Sequence, residues 1–419
     1  MNIRCNSLSL VVFLTLLCSS LGFGQSVIKT MFYNVLNYPT APPSNREVYL
    51  ETIIDSYEPD LFMICELENE TGADEILNDA MNDDGQIYSR APFLSNFSNS
   101  DVELHQIIFF NNKKLKLLNS ERISNTIRDI NWYTLQFITE NQETNPIYLE
   151  VFVAHLKASQ GIDNENKRLE MVEGFIDNLP NLAEDAYVLF AGDFNLYSSD
   201  EPAYQALLNP DNPIIMVDPI NTPGDWHTNS TFSDLHTQST RLSNNEFDNF
   251  GAGGGLDDRF DFIMMSQNLS SDPVLHYNEG SYAAYGNNEN CYNKRIDDAE
   301  CTGTYSSELR QALYQVSDHL PVVMELTLEE ALLSTYDFNY ISASITLEPN
   351  LVENQLNVRI NSSGEEIFFD IYNVLGQKLR SFSASNGIKT ISIDNLAEGL
   401  YYLKPLGINH KTLKFYKKT

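Results

Sequence analysis

Two polar residues follow an apolar run in the stretch FAGDFNLY, residues 190–197. Asp193 and Asn195 stand on either side of Phe194, and residues at i and i+2 of an extended chain point to the same side. The pair would therefore present a carboxylate and an amide on one face, while Phe194 packs inward. Because Asp after Gly also closes turns, the pair alone predicts either a turn or part of a reaction centre.

Three other strand-like runs also end in polar residues. VIKTMFY is followed by Asn34, LFMIC by Glu66, and IYLEVFVA ends in His155. Ligands bind beyond the carboxyl ends of strands in open α/β sheets, so these side chains are expected to meet. Each also has a structural alternative. Asn34 could close a turn, Glu66 could be the first solvated residue of an acidic stretch, and His155 could be a core histidine.

The second half of the chain adds further candidates. The triplet Ser-Asp-His at 317–319 leads into the apolar strand LPVVMEL, and the strand-like run RFDFI carries Asp261. His319, like His155, could be a core histidine. Taken together, Asn, Glu, Asp and His are the oxygen ligands and proton carriers that a Mg²⁺-dependent hydrolase needs. Their conjunction predicts a metal-dependent hydrolytic site.

Six motifs, in chain order, carry a resemblance to a known family: NVLNY, ICELE, VAHLK, GDFN, RFDFI and SDHLPV. Over about residues 28–328 the chain resembles the endonuclease/exonuclease/phosphatase superfamily. That superfamily includes pancreatic-type deoxyribonucleases, apurinic-site endonucleases, inositol-polyphosphate 5-phosphatases and bacterial sphingomyelinases. The resemblance implies an α/β fold, a four-layer sandwich of two mixed β-sheets packed face to face and flanked by helices.

The resemblance also implies a role for each matching residue. Glu66 would hold Mg²⁺, with Asn34 and Asp318 in or near its shell, and Mn²⁺ or Ca²⁺ are alternative ions. Asp193 would activate the attacking water. Asn195 would hold that water or the phosphate by hydrogen bonds.

Two histidines complete the implied catalytic set. His319 would lie against the phosphate, with Asp261 behind it fixing the tautomer and favouring the charged form. His155 would donate to a non-bridging oxygen. Some members of the superfamily back this histidine with a carboxylate, for which Glu103 or Gln106 are the candidates here.

Substrate contacts are expected from the long polar loop at about residues 219–255 and from the arginine next to it. Long loops in compact domains are usually functional. Arg241, Arg259 and His236 are the candidate substrate-binding residues, and Trp226 and His227 lie in the same loop. A surface ion pair is the alternative role for Arg259.

The chain divides into four predicted segments. Residues 1–24 read as a secretory signal peptide, because an arginine and a short apolar run precede small residues. Residues 25–328 form the catalytic domain, 329–344 a linker, and 345–419 a second domain. No later segment is long and apolar enough to span a bilayer, so the mature chain is predicted to have no membrane span.

Charge and cysteines bear on the chemistry of the exported chain. Residues 25–344 hold 51 acidic and 16 basic side chains, a net charge of −35, against 7 and 9 in residues 345–419. Such a domain repels polyanions unless cations intervene, so no basic nucleic-acid groove is predicted.

Cys291 and Cys301 share a polar loop and are the expected disulfide pair in an oxidising compartment, while Cys65 is expected to be a buried thiol.

The last segment predicts a small all-β sandwich, because short runs rich in Ile, Val, Tyr and Phe alternate with glycines. LEPNLVENQLNVRI, FFDIYNVLGQKL and IDNLAEGLYYLK resemble the sorting domain of type IX secretion in Bacteroidetes. The resemblance implies recognition by the type IX machinery, a secreted or cell-surface location, and usually removal of the domain on export. A carbohydrate-binding or adhesive sandwich is the alternative.

Together these features predict a secreted, divalent-metal-dependent phosphoesterase. A nuclease that hydrolyses phosphodiester bonds is the first expectation. A phosphatase or phosphodiesterase acting on small phosphoesters or sphingomyelin-like lipids is the second. A non-catalytic exported binding protein is the alternative from another class, and the presence of all the motif residues argues against it.

Overall fold

The structure, a computed structural model, describes residues 25–83, 85–98, 104–329, 344–361, 367–406 and 412–418. The chain divides between Leu333 and Ser334 into two compact units, and each is described by itself. The predicted signal peptide and nearly all of the predicted linker lie outside the described residues. Within the described ranges, no helix is long and apolar enough to cross a membrane.

The first sheet of the N-terminal unit has seven strands. Numbered along the chain, they are β1 (Gln25–Tyr38), β2 (Leu61–Leu67), β3 (Tyr88–Arg90), β4 (His105–Asn111), β11 (Leu275–Tyr277), β12 (Ala283–Ala284) and β13 (Val322–Glu329). Their order is β11-β13-β1-β2-β4-β3, with β12 beside β13. β1 and β2 run parallel and the other pairs antiparallel, so the sheet is mixed.

The second sheet has six strands. They are β5 (Leu115–Ile123), β6 (Ile130–Phe137), β7 (Tyr148–His155), β8 (Tyr187–Asp193), β9 (Met216–Val217) and β10 (Asp261–Ser266), in the order β5-β6-β7-β8-β10-β9. β7 and β8 run parallel and their neighbours antiparallel. The sequence run AYVLFAG is therefore a central strand, and β8 is buried along nearly its whole length.

Helices cover the outer faces of both sheets. They are α1 (Arg46–Tyr57), α2 (Glu70–Glu75, continued by a π-helical turn at Ile76–Met81), α3 (Ile162–Ile176), α4 (Pro202–Leu207) and α5 (Ser307–Val316). Short 3₁₀ turns lie at Leu179–Asn181, Ser230–Phe232, Asn245–Phe247 and Gln267–Ser270.

Two hydrophobic clusters hold these layers together. One joins side chains of both sheets, such as Phe62 and Val151, with Leu313 of α5. The other packs the outer face of the second sheet, including Phe190, against Phe175 of α3. The predicted four-layer sandwich of two mixed sheets is confirmed, because alternate residues of the central strands face opposite apolar layers.

The C-terminal unit consists of two smaller sheets. One contains β14 (Ser344–Leu347), β16 (Gln355–Asn361) and β19 (Gly387–Ser392). The other contains β15 (Leu351–Val352), β17 (Ile367–Asn373), β18 (Lys378–Ala384), β20 (Gly399–Leu406) and β21 (Leu413–Lys417). Val358, Ile371 and Leu403 share one buried cluster, which joins the two sheets. The expectation of an all-β domain is confirmed.

The cysteines of the N-terminal unit occupy two different environments. Cys291 and Cys301 are joined by a disulfide in the loop that precedes α5, and both are buried. Cys65 is a free, buried thiol on β2.

Candidate active site

Adjacent strands bring three predicted catalytic side chains to one edge of the second sheet. His155 ends β7 and lies opposite Asp193, which ends the parallel strand β8. Asp193 in turn lies opposite Asp261, the first residue of the antiparallel strand β10. Register partners on neighbouring strands have side chains within contact distance. The strand-end pattern of the sequence accounts for His155 and Asp193, and the register of β10 adds Asp261.

The facing sheet contributes Asn34 and Glu66 from the parallel strands β1 and β2. The pairing is irregular after Asn34, and Glu66 has a left-handed conformation with φ 59°. The carboxylate of Glu66 accepts hydrogen bonds from Asn34 Nδ2 at 2.9 Å and from the backbone N–H of Asn37 at 3.2 Å. With its side chain only 13% exposed, Glu66 is not the solvated residue that its acidic neighbourhood also allowed.

Glu66, His155 and Asp193 form a group that can hold a metal ion, since one ligand atom from each lies within 4.8 Å of the others. His155 Nε2 is 3.4 Å from Asp193 Oδ2 and 3.9 Å from Glu66 Oε1. Two carboxylates and an imidazole are ligands that divalent cations accept. A candidate divalent-metal site therefore lies where the two sheets meet at this edge.

The electrostatics of this group favour a bound cation. Burial raises the pKa of Asp193 to about 7, and burial together with the Asp318 carboxylate raises the pKa of Glu66. A cation beside the two carboxylates would stabilise their ionised forms and so lower both pKa values. The ligand atoms of Glu66, His155 and Asp193 and the shortage of positive charge around them both fit a divalent ion.

Asn34 and Asp318, the other two predicted metal ligands, surround this group. Asn34 Oδ1 accepts from the backbone N–H of Leu36 at 3.0 Å, and its Nδ2 donates to Asp193 Oδ2 at 3.0 Å as well as to Glu66. Asp318 Oδ2 accepts from the backbone N–H of Ala252 at 2.7 Å. Asp318 Oδ1 is buried and has no hydrogen-bond partner among the described residues. Asp318 thus retains one oxygen for another ligand.

His319 and Asp261 form a close buried pair. His319 Nδ1 lies 2.8 Å from Asp261 Oδ2, and both residues are almost fully buried. Burial acts to lower the pKa of His319, but the carboxylates of Asp261, Asp193 and Asp318 outweigh it and hold that pKa well above its usual range. The Asp261 carboxylate also assigns the proton on Nδ1, which leaves Nε2 facing Asp193.

His155 differs from His319 in its charge state. Burial, together with the positive charge of Arg128, holds the pKa of His155 well below its usual range, so the ring is neutral at neutral pH. A neutral imidazole can bind a metal or donate one hydrogen bond. Of its predicted backing residues, Glu103 lies outside the described residues. The side-chain nitrogen of Gln106 and His155 Nδ1 are both buried without a partner among the described residues.

The GDFN motif forms a turn that joins its two polar side chains. Asn195 has φ 52°, so the chain leaves the extended conformation after β8. Its Nδ2 donates to Asp193 Oδ1 at 2.7 Å, and its backbone N–H donates to the same oxygen at 3.2 Å. Phe194 packs between Phe190 and Phe262. The GDFN segment therefore forms the predicted turn, and that turn also holds Asp193 in the candidate site.

The three predicted substrate contacts are corrected, because their side chains are buried in other interactions. Arg259 donates to both oxygens of Asp218 at 2.8 and 3.0 Å and lies over the Trp226 and Phe262 rings. The alternative prediction, that Arg259 forms an ion pair, is correct, although the pair with Asp218 is buried rather than on the surface. Arg259 and Asp218 therefore act in packing.

Arg241 and His236 are corrected for the same reason. The Arg241 guanidinium stacks on Phe247, 3.4 Å from the ring centroid, and donates to the backbone oxygen of Tyr314. His236 is fully buried, with Nε2 2.9 Å from the backbone oxygen of Trp226. Neither side chain is accessible to a substrate.

Two residues near the site were not predicted. Arg128 precedes β6, and its Nη1 donates to the backbone oxygens of His155 and Leu156 at 2.8 and 2.9 Å. Burial lowers the pKa of Arg128, while the charges of Glu66 and Asp193 oppose that shift. Gln238, from the long loop, has Nε2 2.7 Å from His319 Nε2. Neither belongs to a motif, so no sequence signal marks them.

The long loop also supplies one wall of a cavity of about 390 Å³ beside the site. His227 lines it and pairs with Asp258 at 2.6 Å, and Tyr197 lines it two residues after Asn195. Glu165, Asp200 and Asp225 also face this cavity, together with Gln160, Gly161 and Ser198. Of these two loop residues, His227 therefore lines the cavity, whereas Trp226 is part of the core.

Comparison with known proteins assigns the C-terminal segment. Residues 347–418 match the model of the secretion system C-terminal sorting domain. This match confirms the resemblance of the C-terminal motifs and indicates export to the cell surface or beyond. No curated protein matches the chain.

Several solved structures are similar to the chain at low identity. The human nocturnin catalytic domain with bound sulfate is 17% identical, with a TM-score of 0.45 over 73% of this chain and 97% of that one. A mannosyl-6-phosphatase from Bacteroides thetaiotaomicron is 16% identical, with a TM-score of 0.45 over 71% and 99%. A protein named for the endonuclease/exonuclease/phosphatase family, from the same organism, is 14% identical, with a TM-score of 0.45 over 73% and 99%. One of these similar structures is a protein named for the superfamily that the motifs resemble, and residues 347–418 match the secretion system C-terminal sorting domain.

Proposed function

We propose that residues 25–328 form a divalent-metal-dependent phosphoesterase. In this proposal residues 1–24 are a signal peptide, 329–344 a linker, and 345–419 the domain that directs export by type IX secretion. The observation that carries the proposal is the convergence of Glu66, His155 and Asp193 next to the buried pair His319–Asp261.

The proposed chemistry follows from what phosphate esters require. Their negative oxygens repel nucleophiles, so a catalyst must neutralise charge, activate water and stabilise the leaving oxygen. A divalent ion held by Glu66, with Mg²⁺ as the first choice, would neutralise charge and acidify water. Asp193 lies 3.4 Å from His155 Nε2 beside that ion, and in its ionised form it is suited to accept a proton from water. Asn195 holds Asp193 in place and offers an amide to the phosphate.

Two imidazoles would bind the phosphoryl group. His319 presents Nε2 while Asp261 holds Nδ1 at 2.8 Å. His155 is neutral and lies 3.4 Å from Asp193 Oδ2, so it can serve the ion or donate to a phosphoryl oxygen. The guanidinium of Arg128 adds positive charge behind these groups.

Nucleic-acid phosphodiesters are the first substrates to test, because an exported nuclease releases usable phosphate and nucleosides. Small phosphoesters are the second. They are favoured by the acidic lining of the neighbouring cavity, where the carboxylates of Glu165, Asp200 and Asp225 would repel a polyanionic strand.

A substrate panel tests the proposal. Duplex DNA, single-stranded DNA, RNA, mononucleotides, sugar phosphates and sphingomyelin are each incubated with Mg²⁺, Mn²⁺, Ca²⁺ or a chelator. We expect hydrolysis of at least one phosphoester, abolished by the chelator. Binding without turnover would favour the non-catalytic alternative, and undiminished turnover in excess chelator would rule out the metal.

A further inference from the structure

The side chain of Gln238 reaches the atom of His319 that the proposed chemistry offers to phosphate. Gln238 Nε2 lies 2.7 Å from His319 Nε2 and 3.0 Å from Asp318 Oδ2. Gln238 belongs to the long loop between β9 and β10 and is only half-buried. It is therefore a loop residue placed inside the site, between the last two residues of the SDH motif.

The contact with Asp318 fixes which end of the amide faces the site. The carboxylate oxygen of Asp318 only accepts hydrogen bonds, so the amide NH₂ must face it, whereas a flipped amide would set two acceptor oxygens against each other. An NH₂ group carries two hydrogens. Asp318 accepts from one, and the second points toward His319 Nε2. When that ring is protonated, Nε2 also carries a hydrogen, so two N–H donors face the same point.

The backbone holds Gln238 at this position. Its N–H donates to the backbone oxygen of Asp258 at 3.1 Å, and its own oxygen accepts from the N–H groups of Asp257 and Asp258, both at 2.9 Å. On either side, the chain is also tied to the SDH segment, through Leu320 N–H to Thr237 O at 2.7 Å and Thr240 N–H to Asp318 O at 2.9 Å. The amide therefore stays within reach of any group that meets His319 Nε2.

We propose that Gln238 is a phosphate-binding residue, whose second amide N–H donates to the phosphoryl oxygen that contacts His319. This inference rests on the proposed phosphoesterase function. A phosphoryl oxygen that enters between the two nitrogens separates these two donors and accepts a hydrogen bond from each. Such bonds are stronger than neutral ones, and a donor already held in place needs no reorganisation when the anion arrives.

A neutral donor also suits the charge balance of this site. The surrounding carboxylates of Glu66, Asp193, Asp261 and Asp318 repel an anion, and the arginines predicted to contact phosphate are engaged elsewhere. Gln238 supplies a hydrogen bond to phosphate without a further ionisable group.

Inorganic phosphate is the probe, measured by calorimetric titration in Mg²⁺ and as a competitive inhibitor of the best substrate in the panel. Gln238→Met fills nearly the same space without a donor, Gln238→Ala removes both, and Gln238→Glu replaces the donor with an anion. Gln311→Ala, at an exposed glutamine of α5, is the matched control. All are made in the full chain, with melting temperature measured alongside.

We expect Gln238→Met and Gln238→Ala to weaken phosphate binding about 10- to 100-fold, the range for a hydrogen bond to a charged group. Gln238→Glu should weaken it further, and Gln311→Ala should not change it. The inhibition constant and KM should rise by similar factors, with the melting temperature of Gln238→Met nearly unchanged.

Two results would overturn the inference. Phosphate affinity of Gln238→Met equal to that of the wild type would show that the amide only fills space. Tighter binding in Gln238→Ala would show that it blocks the site. Failure of the proposed function looks different, because the wild-type chain would then neither hydrolyse a phosphoester nor bind phosphate.

Discussion

The two units of the chain use their polar side chains in opposite ways. In the N-terminal unit, carboxylates from β2, β8 and β10 converge in a buried site that is short of positive charge. In the C-terminal unit, charged groups pair near the surface, as in Arg359–Glu348 and Lys418–Glu353. Surface pairs contribute little to stability, whereas buried, unpaired carboxylates destabilise the fold and are retained where chemistry requires them.

The apolar side chains differ as well. Of the sixteen large hydrophobic side chains that are exposed in the described part of the chain, eight lie in the C-terminal unit, among them Phe368 and Leu375. That unit is the smaller of the two, so its surface is richer in apolar groups than its size explains. An exposed apolar surface suits a domain that another protein recognises, whereas the N-terminal unit keeps its functional groups inside.

The largest expected effect comes from breaking the buried site at its anchoring carboxylate. Glu66→Gln removes the negative charge that would hold the metal ion, so kcat/KM should fall about 10³- to 10⁴-fold, the loss expected when a Lewis acid no longer acts. Mg²⁺ should raise the melting temperature of the wild type but not that of the variant. Glu70→Gln, at an exposed carboxylate of α2 that pairs with Arg90, is the control and should keep full activity. Equal activity of Glu66→Gln and the wild type would remove Glu66 from the site.

The next effect separates catalytic histidines from a histidine of the core. His319→Ala and His155→Ala should each lower the rate per folded molecule by about 10²-fold or more. His319→Ala should also lower the melting temperature, because it leaves Asp261 buried without its partner. His105→Ala is the matched control, because His105 is buried, packs edge-on against Phe93 and lies near Asn96. That variant should lose stability and keep its rate per folded molecule. If His319→Ala shows the behaviour of His105→Ala, His319 is structural.

The contrast between the units also explains what the sequence could predict. Apolar runs are local features, so Asn34, Glu66, His155 and Asp193 could be found as the polar residues that follow or end them. β1 nevertheless continues past Asn34 to Tyr38, and β2 past Glu66 to Leu67. The sheet register then brings His155 and Asp193 together. The sorting domain was recognisable because its glycines and aromatics repeat a family pattern.

Features that depend on tertiary packing could not be predicted. Arg259 lies in a motif, yet its guanidinium folds back onto Asp218, a partner from another part of the chain. Gln238 and Arg128 lie in no motif, and only the loop paths bring them to the site. Asn195 has a positive φ that no spacing rule contains. Sequence patterns identify which polar residues follow or end apolar runs, but they do not show where loop side chains point.

A smaller effect tests whether the buried carboxylates strain the fold. The pKa of Asp193 in the folded chain is raised by burial to about 7, above its value of about 3.9 in an unfolded chain. The protonated carboxyl group of Asp193 therefore contributes to the free energy of unfolding. This contribution is fully present below about pH 4 and is lost as the pH rises through about 7. In chelator, the unfolding free energy of the wild type minus that of Asp193→Asn should therefore fall by about 1–3 kcal/mol between pH 5 and pH 8.

A difference measurement and a Mg²⁺ control make this test specific to Asp193. Taking the difference between the wild type and Asp193→Asn cancels the titration of groups that are far from Asp193. Saturating Mg²⁺ should reduce the pH dependence, because a bound ion favours the ionised carboxylate in the folded state. Denaturant unfolding at the two pH values measures each quantity, and a difference that does not change with pH would mean that Asp193 is not destabilised by burial.

The smallest expected effect comes from removing the C-terminal unit. Each unit has its own hydrophobic cluster, with Phe62 and Phe190 in those of the first and Val358 and Leu403 in that of the second. A unit with its own core can fold alone. A chain that ends at Leu333 should therefore keep the melting transition of the N-terminal unit, and its kcat/KM for soluble substrates should stay within about twofold of the wild type, while export is lost.

If instead activity on a polymeric or surface-bound substrate falls while activity on a small phosphoester persists, the C-terminal sandwich also binds substrate, as its carbohydrate-binding alternative requires. Loss of activity on both, with the N-terminal fold intact, would contradict the division of labour between the two units.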